Sequence, residues 1–111
     1  MISLTTSNPQ GLLGAMKKAI DDGHVTTWKY DTDGDFTHWP EQWRQKAWLR
    51  PKVVAGELQF GILFPKNQQA TKEVYAVYHG RFIEMAMAHF DASFARAVAT
   101  ALMTLPDVIT A

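Results

Sequence analysis

The chain has 111 residues, of which 47% are hydrophobic, and it contains no cysteine. This length suits one domain with its own core, and the absence of thiols excludes disulfides, cysteine nucleophiles and sulfur-ligated metals. Eleven basic and eleven acidic side chains cancel, which excludes the positive excess that duplex nucleic-acid binding needs and leaves self-association less opposed by charge.

The first predicted element is a short edge strand in residues 1–6, where apolar and polar residues alternate. A helix follows, because Asn8 can cap free backbone N–H groups and Pro9 at the first helical position loses no hydrogen bond. Its apolar residues recur at helical spacing: Leu12, Leu13, Met16, Ala19 and Ile20. Gly23 can adopt the left-handed conformation that ends a helix, so the helix is predicted over about residues 9–22.

Two strands are predicted next, over residues 24–30 and 35–39. The turn sequence Asp33-Gly34 lies between them, and it favours a tight hairpin because both positions tolerate positive φ. A two-residue turn places Trp28 opposite Trp39, whereas a four-residue loop shifts this pairing.

A second hairpin is predicted from residues 47–54 and 57–64, joined by Ala55-Gly56. Pairing Val54 with Glu57 makes every pair on one face apolar: Val53 with Leu58, Pro51 with Phe60, Leu49 with Ile62 and Ala47 with Phe64. A one-residue slip would mix the two faces, so the hydrophobic pattern determines the register. The opposite face carries Trp48, Arg50, Lys52, Gln59 and Gly61. Proline lacks an N–H donor, so Pro51 favours an edge position or a bulge.

The last third of the chain is predicted as a loop, a strand and a helical tail. Residues 65–71 form the polar loop, and residues 72–79 alternate as a strand would. The following apolar residues recur at helical steps: Ile83, Met87, Phe90, Phe94, Ala97 and Ala101. Asp91 could begin a second helix, and Val98 with Thr100 leaves the alternative that the tail is a strand.

Together these elements predict an α+β fold, a single domain over residues 1–111. An antiparallel sheet of about five strands carries an N-terminal and a C-terminal helix packed on one face. The other face of the sheet would then have no cover of its own. All four tryptophans lie between residues 28 and 48, which argues against a fully wet face unless some of them contact a partner.

The sequence also lacks the patterns of secreted and membrane proteins. Residues 1–9 have neither the basic start nor the apolar block of a signal peptide. The longest apolar run, residues 82–90, is interrupted by Glu84 and His89 and is far shorter than the roughly 20 residues of a membrane span. We therefore expect a soluble, cytoplasmic protein.

The first candidate ligand-binding surface is the outward face of the second hairpin, with Trp48, Arg50, Lys52 and Gln59. An aromatic ring beside cations suits a single-stranded nucleic acid, an anionic sugar or a peptide. The alternative is that a helix covers Trp48, while Arg50 and Lys52 lay their aliphatic stems along apolar surface.

The second candidate surface lies around His79 and Arg81, where a strand is predicted to pass into a helix. His79 could exchange a proton near neutral pH, and Arg81 could hold a carboxylate or phosphate with two hydrogen bonds. A hydrolytic protein would need these two side chains, together with His38, in one pocket. The alternative is an ordinary ion pair between Arg81 and Glu84 on a solvated helix face.

A third motif, Asp31, Asp33 and Asp35, is similar to the start of a calcium-binding loop. The helix–loop–helix version needs glycine at its sixth position and glutamate at its twelfth, where this chain has Phe36 and Gln42. We therefore predict a plain turn, and neither a metal nor another cofactor is assigned.

These patterns lead to one preferred hypothesis and two alternatives. The preferred function is a small non-enzymatic binding or interaction module, which could form a homodimer through the sheet or the last helix. The alternatives are an anion-binding or hydrolytic protein using His79 and Arg81, and a single-stranded nucleic-acid binder using Trp48, Arg50 and Lys52. No catalytic residue is assigned, and neither membrane nor nucleic-acid partners are expected.

Overall fold

A computed structural model describes residues 1–108 of this chain, with two helices and a six-stranded antiparallel sheet. The elements are β1 Ile2–Thr5, α1 Pro9–Asp21, β2 Trp28–Tyr30, β3 Phe36–His38, β4 Trp48–Val54, β5 Glu57–Leu63, α2 Lys72–Phe90 and β6 Arg96–Ala99. The strand order across the sheet is β2-β3-β4-β5-β1-β6. The predicted α+β class is confirmed, with six strands in place of about five. The predicted domain extends to residue 111, and residues 109–111 lie outside the described residues.

Both helices pack on the same face of the sheet and share one core with it. The apolar stripe of α1 predicted from the sequence is buried at Leu12, Leu13, Met16 and Ile20. Phe82 of α2 meets Trp28 edge-on at 5.0 Å between ring centres, and it meets Phe36 edge-on at 5.8 Å. Each fully buried side chain of this size stabilises the fold by about 1.5–3 kcal/mol. Neither helix in residues 1–108 is long and apolar enough to cross a bilayer.

The second hairpin has the predicted register. Val54 pairs with Glu57, and the apolar pairs follow as predicted through Leu49 opposite Ile62, both fully buried. β4 is an interior strand, yet its pairing with β3 is confined to Leu49 and does not extend to Pro51. The missing N–H of Pro51 therefore faces a local gap beside the strand, as its chemistry requires.

The first hairpin pairs one residue away from the predicted register, because its connection is longer than two residues. Trp28 lies opposite His38, so the predicted pairing with Trp39 is wrong. The carboxylate of Asp31 accepts the N–H groups of Asp33 and Asp35, at 3.0 and 2.9 Å, and holds a five-residue loop. The loop thus uses side-chain hydrogen bonds that a hydrophobic pattern does not reveal.

The predicted edge strand at the N-terminus is an interior strand of the sheet. β1 pairs with β5 on one side and with β6 on the other, so its prediction as an edge is wrong. The sequence predicts the tail chiefly as helix, and this prediction is wrong beyond Phe90, where α2 ends. The alternative prediction of a strand is correct for Arg96–Ala99, which form β6. The open side of β1 supplies hydrogen-bond partners to a segment whose alanines favour a helix when isolated.

The strand predicted over residues 72–79 is the first part of α2 instead. Thr71 caps this helix by accepting the N–H of Val74 at 3.1 Å. The buried residues of the segment are Val74, Tyr75, Tyr78 and His79, a helical spacing, whereas Ala76 is exposed. The alternation of Val74, Ala76 and Tyr78 in the sequence therefore arises by chance on a helix.

Residues 100–108 fasten the end of the described chain to the sheet. The Val108 N–H donates to the Ile62 carbonyl at 2.7 Å. Val108 pairs with Leu63 at the end of β5, beyond the residues of β5 that pair with β1. The Asp107 carboxylate accepts the Ile62 N–H at 2.8 Å. A side chain at Gly61 would place its Cβ only 2.4 Å from the Pro106 carbonyl oxygen, so this crossing requires glycine.

Candidate functional site

A cleft of about 510 Å³ lies between the C-terminal half of α2 and the segment that follows β3. Its apolar lining consists of Pro40, Trp43, Met85 and Ala88. Its polar lining consists of Thr27, His38, Gln42, Arg81, Glu84 and His89. Polar residues outnumber apolar ones in this lining, so the cleft offers several hydrogen-bonding groups beside an apolar wall.

His38 lines this cleft, and one of its ring nitrogens is free to accept a hydrogen bond. Its Nδ1 lies 2.9 Å from the carbonyl oxygen of Thr27, which can only accept, so Nδ1 carries the proton. Nε2 therefore carries a lone pair, and it has no hydrogen-bond partner in the described part of the chain. Burial lowers the pKa of His38, against the Thr27 hydrogen bond, which raises it. The imidazole is thus held neutral, with its acceptor free.

The sequence positions His38 at the end of β3, opposite Trp28. Its ring packs on the Trp28 indole with 4.6 Å between ring centres, and it meets the Tyr78 ring edge-on with 6.2 Å between ring centres. His38 is only 6% exposed. Because the ring is enclosed by these contacts, the imidazole is held in one orientation. A fixed ring can present Nε2 without first losing rotamer freedom.

Arg81 and Glu84 form the charged rim of the cleft. They lie one turn apart on α2, with the guanidinium and carboxylate 3.3 Å apart and both side chains more than half exposed. An exposed pair of this kind contributes only about 0–1 kcal/mol, so a ligand can separate the two groups at little cost. The predicted Arg81–Glu84 ion pair is present, and it borders a concave surface.

Trp43 forms the opposite wall and is held in place by Tyr78. The Tyr78 hydroxyl donates to the Trp43 carbonyl, and it shares a 3.0 Å hydrogen bond with the Thr37 hydroxyl. Burial raises the pKa of Tyr78, so the hydroxyl stays protonated and able to donate. The indole of Trp43 is half-buried and packs against the core while it lines the cleft.

His79 does not line the cleft with Arg81. It lies inside the protein, its ring stacked on Tyr75 at 3.9 Å between centres, and its Nδ1 donates to the Tyr75 carbonyl at 2.7 Å. Burial lowers the pKa of His79, and its Nε2 is buried without a hydrogen-bond partner among the described residues. The structure therefore brings Arg81 together with His38, and separates it from His79.

The outward hairpin face does bring Trp48, Arg50, Lys52 and Gln59 to one side of the sheet. Neither helix of residues 1–108 covers it, so the predicted alternative of a helix over Trp48 is wrong. The Arg50 guanidinium donates two hydrogen bonds to Asp35, at 3.0 and 2.9 Å. The space next to Gly61 is filled by the Pro106 carbonyl, so part of this face is already occupied.

The acidic residues Asp31, Asp33 and Asp35 do come together, with carboxylate oxygens within 4.8 Å of one another. Two of the three carboxylates, those of Asp31 and Asp35, make polar contacts within the protein. Asp31 accepts the backbone N–H groups of the loop, and the buried Asp35 binds Arg50, whose pKa this carboxylate raises. The guanidinium offsets the charge of one of the three carboxylates, that of Asp35.

Sequence reasoning missed the cleft because its walls come from distant segments. Trp43 lies in a stretch with no periodicity, and Met85 and Ala88 look like ordinary positions on an apolar helix. The available signal was Trp43 itself, a large apolar residue in the segment between the two predicted hairpins. Comparison of the chain with protein-family models, with curated proteins and with solved structures found no match.

Proposed function

We propose that this protein is a small non-enzymatic binding module whose ligand lies in the cleft between α2 and the segment after β3. The observation that carries the proposal is the free Nε2 acceptor of His38, held neutral beside Trp43 and Arg81. An acceptor fixed in a partly apolar cleft favours a ligand with an N–H or O–H group that donates a hydrogen bond to Nε2.

The lining indicates the chemical class of this ligand. Trp43 offers an aromatic surface, and His38 needs an N–H or O–H donor. Arg81 and Glu84 carry opposite charges, so the rim has no net preference for an anion or a cation. A planar heterocycle that carries a donor, neutral or zwitterionic, fits these three requirements together.

Binding is tested by following the ¹H–¹⁵N spectrum of the protein during titration with benzimidazole, nicotinamide and adenine. We expect at least one compound to shift the Trp43 indole N–H, the Arg81 side-chain signal and the His38 ring nitrogens. Compounds that shift none of these signals would contradict the proposal.

Two variant pairs separate the cleft from general surface effects. His38→Asn keeps a donor near the Thr27 carbonyl but loses the Nε2 acceptor, whereas His38→Gln retains an acceptor near that position. We expect His38→Asn to weaken binding about tenfold, which corresponds to one lost hydrogen bond to a buried group. Arg81→Ala should weaken binding of a zwitterionic ligand, while Arg96→Ala, an exposed arginine on β6, should not.

Hydrolysis is a second candidate, which the tautomer of His38 favours. Nδ1 is tied to a carbonyl and Nε2 is free and unprotonated, which is the arrangement a general base needs to take a proton from water. In this version His38 takes the role predicted for His79. Turnover of p-nitrophenyl acetate that disappears in His38→Asn would support it, and equal turnover in the variant would contradict it.

The geometry favours single-stranded nucleic acid less than a small ligand. Arg50 is paired with Asp35, so of the two predicted cations on the outward face Lys52 is the one left, four residues along the strand from Trp48. A binder of this class should show tryptophan quenching by oligothymidylate that weakens steeply with salt. The absence of quenching at low salt would remove this alternative.

A further inference from the structure

The last strand of the sheet leaves one edge unpaired in residues 1–108. The Thr100 N–H donates to the Met1 carbonyl at 2.9 Å, which sets the phase of the ladder between β1 and β6. Since alternate residues of an antiparallel strand bond to opposite sides, Val98 directs its backbone groups toward β1. The N–H and C=O groups of Ala97 and Ala99 therefore point away from the protein.

Sheet edges are commonly protected by proline, lysine, a bulge or a very short strand. β6 has only four residues and begins with Arg96, but it carries no proline or lysine, and the residues whose backbone groups point outward are alanines. Of the seven large apolar side chains exposed in the described residues, five lie in β6 and the segment after it: Val98, Leu102, Met103, Leu105 and Val108. With no net charge on the chain, long-range repulsion does not keep two copies apart.

We propose that a second copy of this chain pairs with this edge, β6 antiparallel to β6, and that the two Val98 residues face each other across the twofold axis. Ala97 of each copy then exchanges both backbone hydrogen bonds with Ala99 of the other. The two sheets become one continuous sheet of twelve strands, and the interface is the same patch on both subunits. This pairing is independent of the ligand cleft, which lies at α2 and the segment after β3.

The register follows from charge and from hydrogen-bond phase. A shift by one residue would place outward-pointing backbone groups against groups already bonded to β1. A shift by two in one direction would put Arg96 opposite Val98 and bring the two arginines closer, and a shift by two in the other direction would carry the pairing past Ala99, where β6 ends. With Val98 on the axis, Arg96 of one copy lies opposite Thr100 of the other. The two arginines are then about 13 Å apart along the strands, a distance at which salt screens most of their repulsion.

The test uses the absence of cysteine from the chain, so that one introduced thiol reports one contact. Val98→Cys places two thiols at a closely spaced, non-hydrogen-bonded pair, whose geometry permits a disulfide. Val53→Cys is the matched control, because Val53 is 42% exposed and Val98 is 50% exposed on the same sheet. Under mild oxidation we expect rapid cross-linking of Val98→Cys and slow cross-linking of Val53→Cys.

Sedimentation equilibrium of the unmodified protein provides the second measurement. We expect twice the 12.5 kDa mass of one chain at micromolar to millimolar concentration. Val98→Lys brings two like charges together on the axis and should raise the dissociation constant about tenfold or more, whereas Val53→Lys should leave it unchanged. Both positions are exposed, so circular dichroism should show the same fold in each variant.

The outcomes divide clearly. A single 12.5 kDa species at every concentration overturns the proposal, and it is also the result expected if this edge receives a strand from a different protein. A dimer in which Val98→Cys and Val53→Cys cross-link equally, or in which Val98→Lys has no effect, places the contact elsewhere and overturns this interface. Ligand titration of the cleft is unaffected by either result.

Discussion

Asp107 Oδ2 lies 2.7 Å from the ammonium nitrogen of Met1, and the same carboxylate joins three other parts of the protein. It accepts the backbone N–H groups of Ile62 and Thr104 and the hydroxyl of Tyr75. The Asp107 side chain is completely buried. One carboxylate therefore connects the first strand, the central strand β5, the long helix and the final segment.

We expect Asp107→Asn to lower the free energy of unfolding by about 2–4 kcal/mol. The variant keeps the shape of the side chain but leaves a part-buried ammonium group without its counter-charge. Urea denaturation measures the change. Asp22→Asn is the control, because it removes only the exposed pair with Lys18 and should change stability little. A similar effect in both variants would contradict the central role of Asp107.

The contribution of Asp107 should depend on pH. Burial alone would raise its pKa, but the hydrogen bonds from Met1 and from the backbone N–H groups outweigh burial and lower the pKa. A lowered folded pKa means that the stabilisation is present above the unfolded value of 3.8 and is lost as pH falls through the folded value. The stability difference between the unmodified protein and Asp107→Asn should therefore shrink in strong acid. A difference that stays constant with pH would contradict this account.

The two buried histidines should also make the fold sensitive to mild acid. Burial lowers the pKa values of His38 and His79, so the unfolded chain takes up protons before the folded chain does. Their contribution is present above the unfolded pKa of 6.5 and is lost as pH falls through the folded values. His79→Gln should reduce the loss of stability between about pH 7.5 and about pH 5. An unchanged loss would show that His79 is not the group responsible.

Gly61→Ala should destabilise the protein by about 1–3 kcal/mol, because the new methyl group would overlap the Pro106 backbone. Thermal unfolding monitored by circular dichroism measures this. Gly14→Ala is the matched control: no atom lies within 4 Å of a Cβ built at this helical position. That substitution should stabilise the protein by up to about 1 kcal/mol. If both variants unfold alike, residues 100–108 do not cross the sheet at Gly61.

Arg50→Ala and Lys52→Ala should differ although the two cations are neighbours on one face. Removing Arg50 leaves the carboxylate of Asp35 buried and without its ionic partner, so we expect a loss of about 1–3 kcal/mol. Lys52 is exposed and its removal should leave the stability nearly unchanged. Equal stabilities of the two variants would indicate that Arg50 is available to a ligand on this face.

Local patterns predicted those elements whose pairing is local. α1 follows from Asn8, Pro9 and a regular apolar stripe, and the hairpin around Ala55-Gly56 follows from its alternation. In both, the residues that decide the structure are close in sequence, and each local preference agrees with the final fold.

Predictions failed where a distant segment decided the outcome. Residues 96–99 have helical composition but form a strand, because β1 offers them an open edge. The alternation at Val74, Ala76 and Tyr78 fits a strand, yet the residues are helical because Val74 and Tyr78 also share one helix face. Propensity is a weak determinant when a nearby surface can satisfy the backbone.

The candidate site was only partly predictable for the same reason. The sequence singled out Arg81 and noted His38 as its possible companion, but it grouped Arg81 with the adjacent His79. On a helix, residues two apart point in nearly opposite directions, so His79 enters the core while Arg81 reaches the rim of the cleft. The neutral tautomer of His38 depends on the Thr27 carbonyl, a backbone group that no side-chain pattern reveals.

The position of β1 between β5 and β6 has a consequence for the order of folding. Ile2 pairs with Phe60 on one side and with Ala99 on the other, so both of its neighbours are made long after it. During synthesis on the ribosome this strand stays unpaired until β5 has emerged, and one of its sides stays open until residues 96–99 have emerged. Such distant pairings slow the search for the native topology, and refolding from urea should take milliseconds to seconds, as it does for proteins dominated by contacts between remote segments.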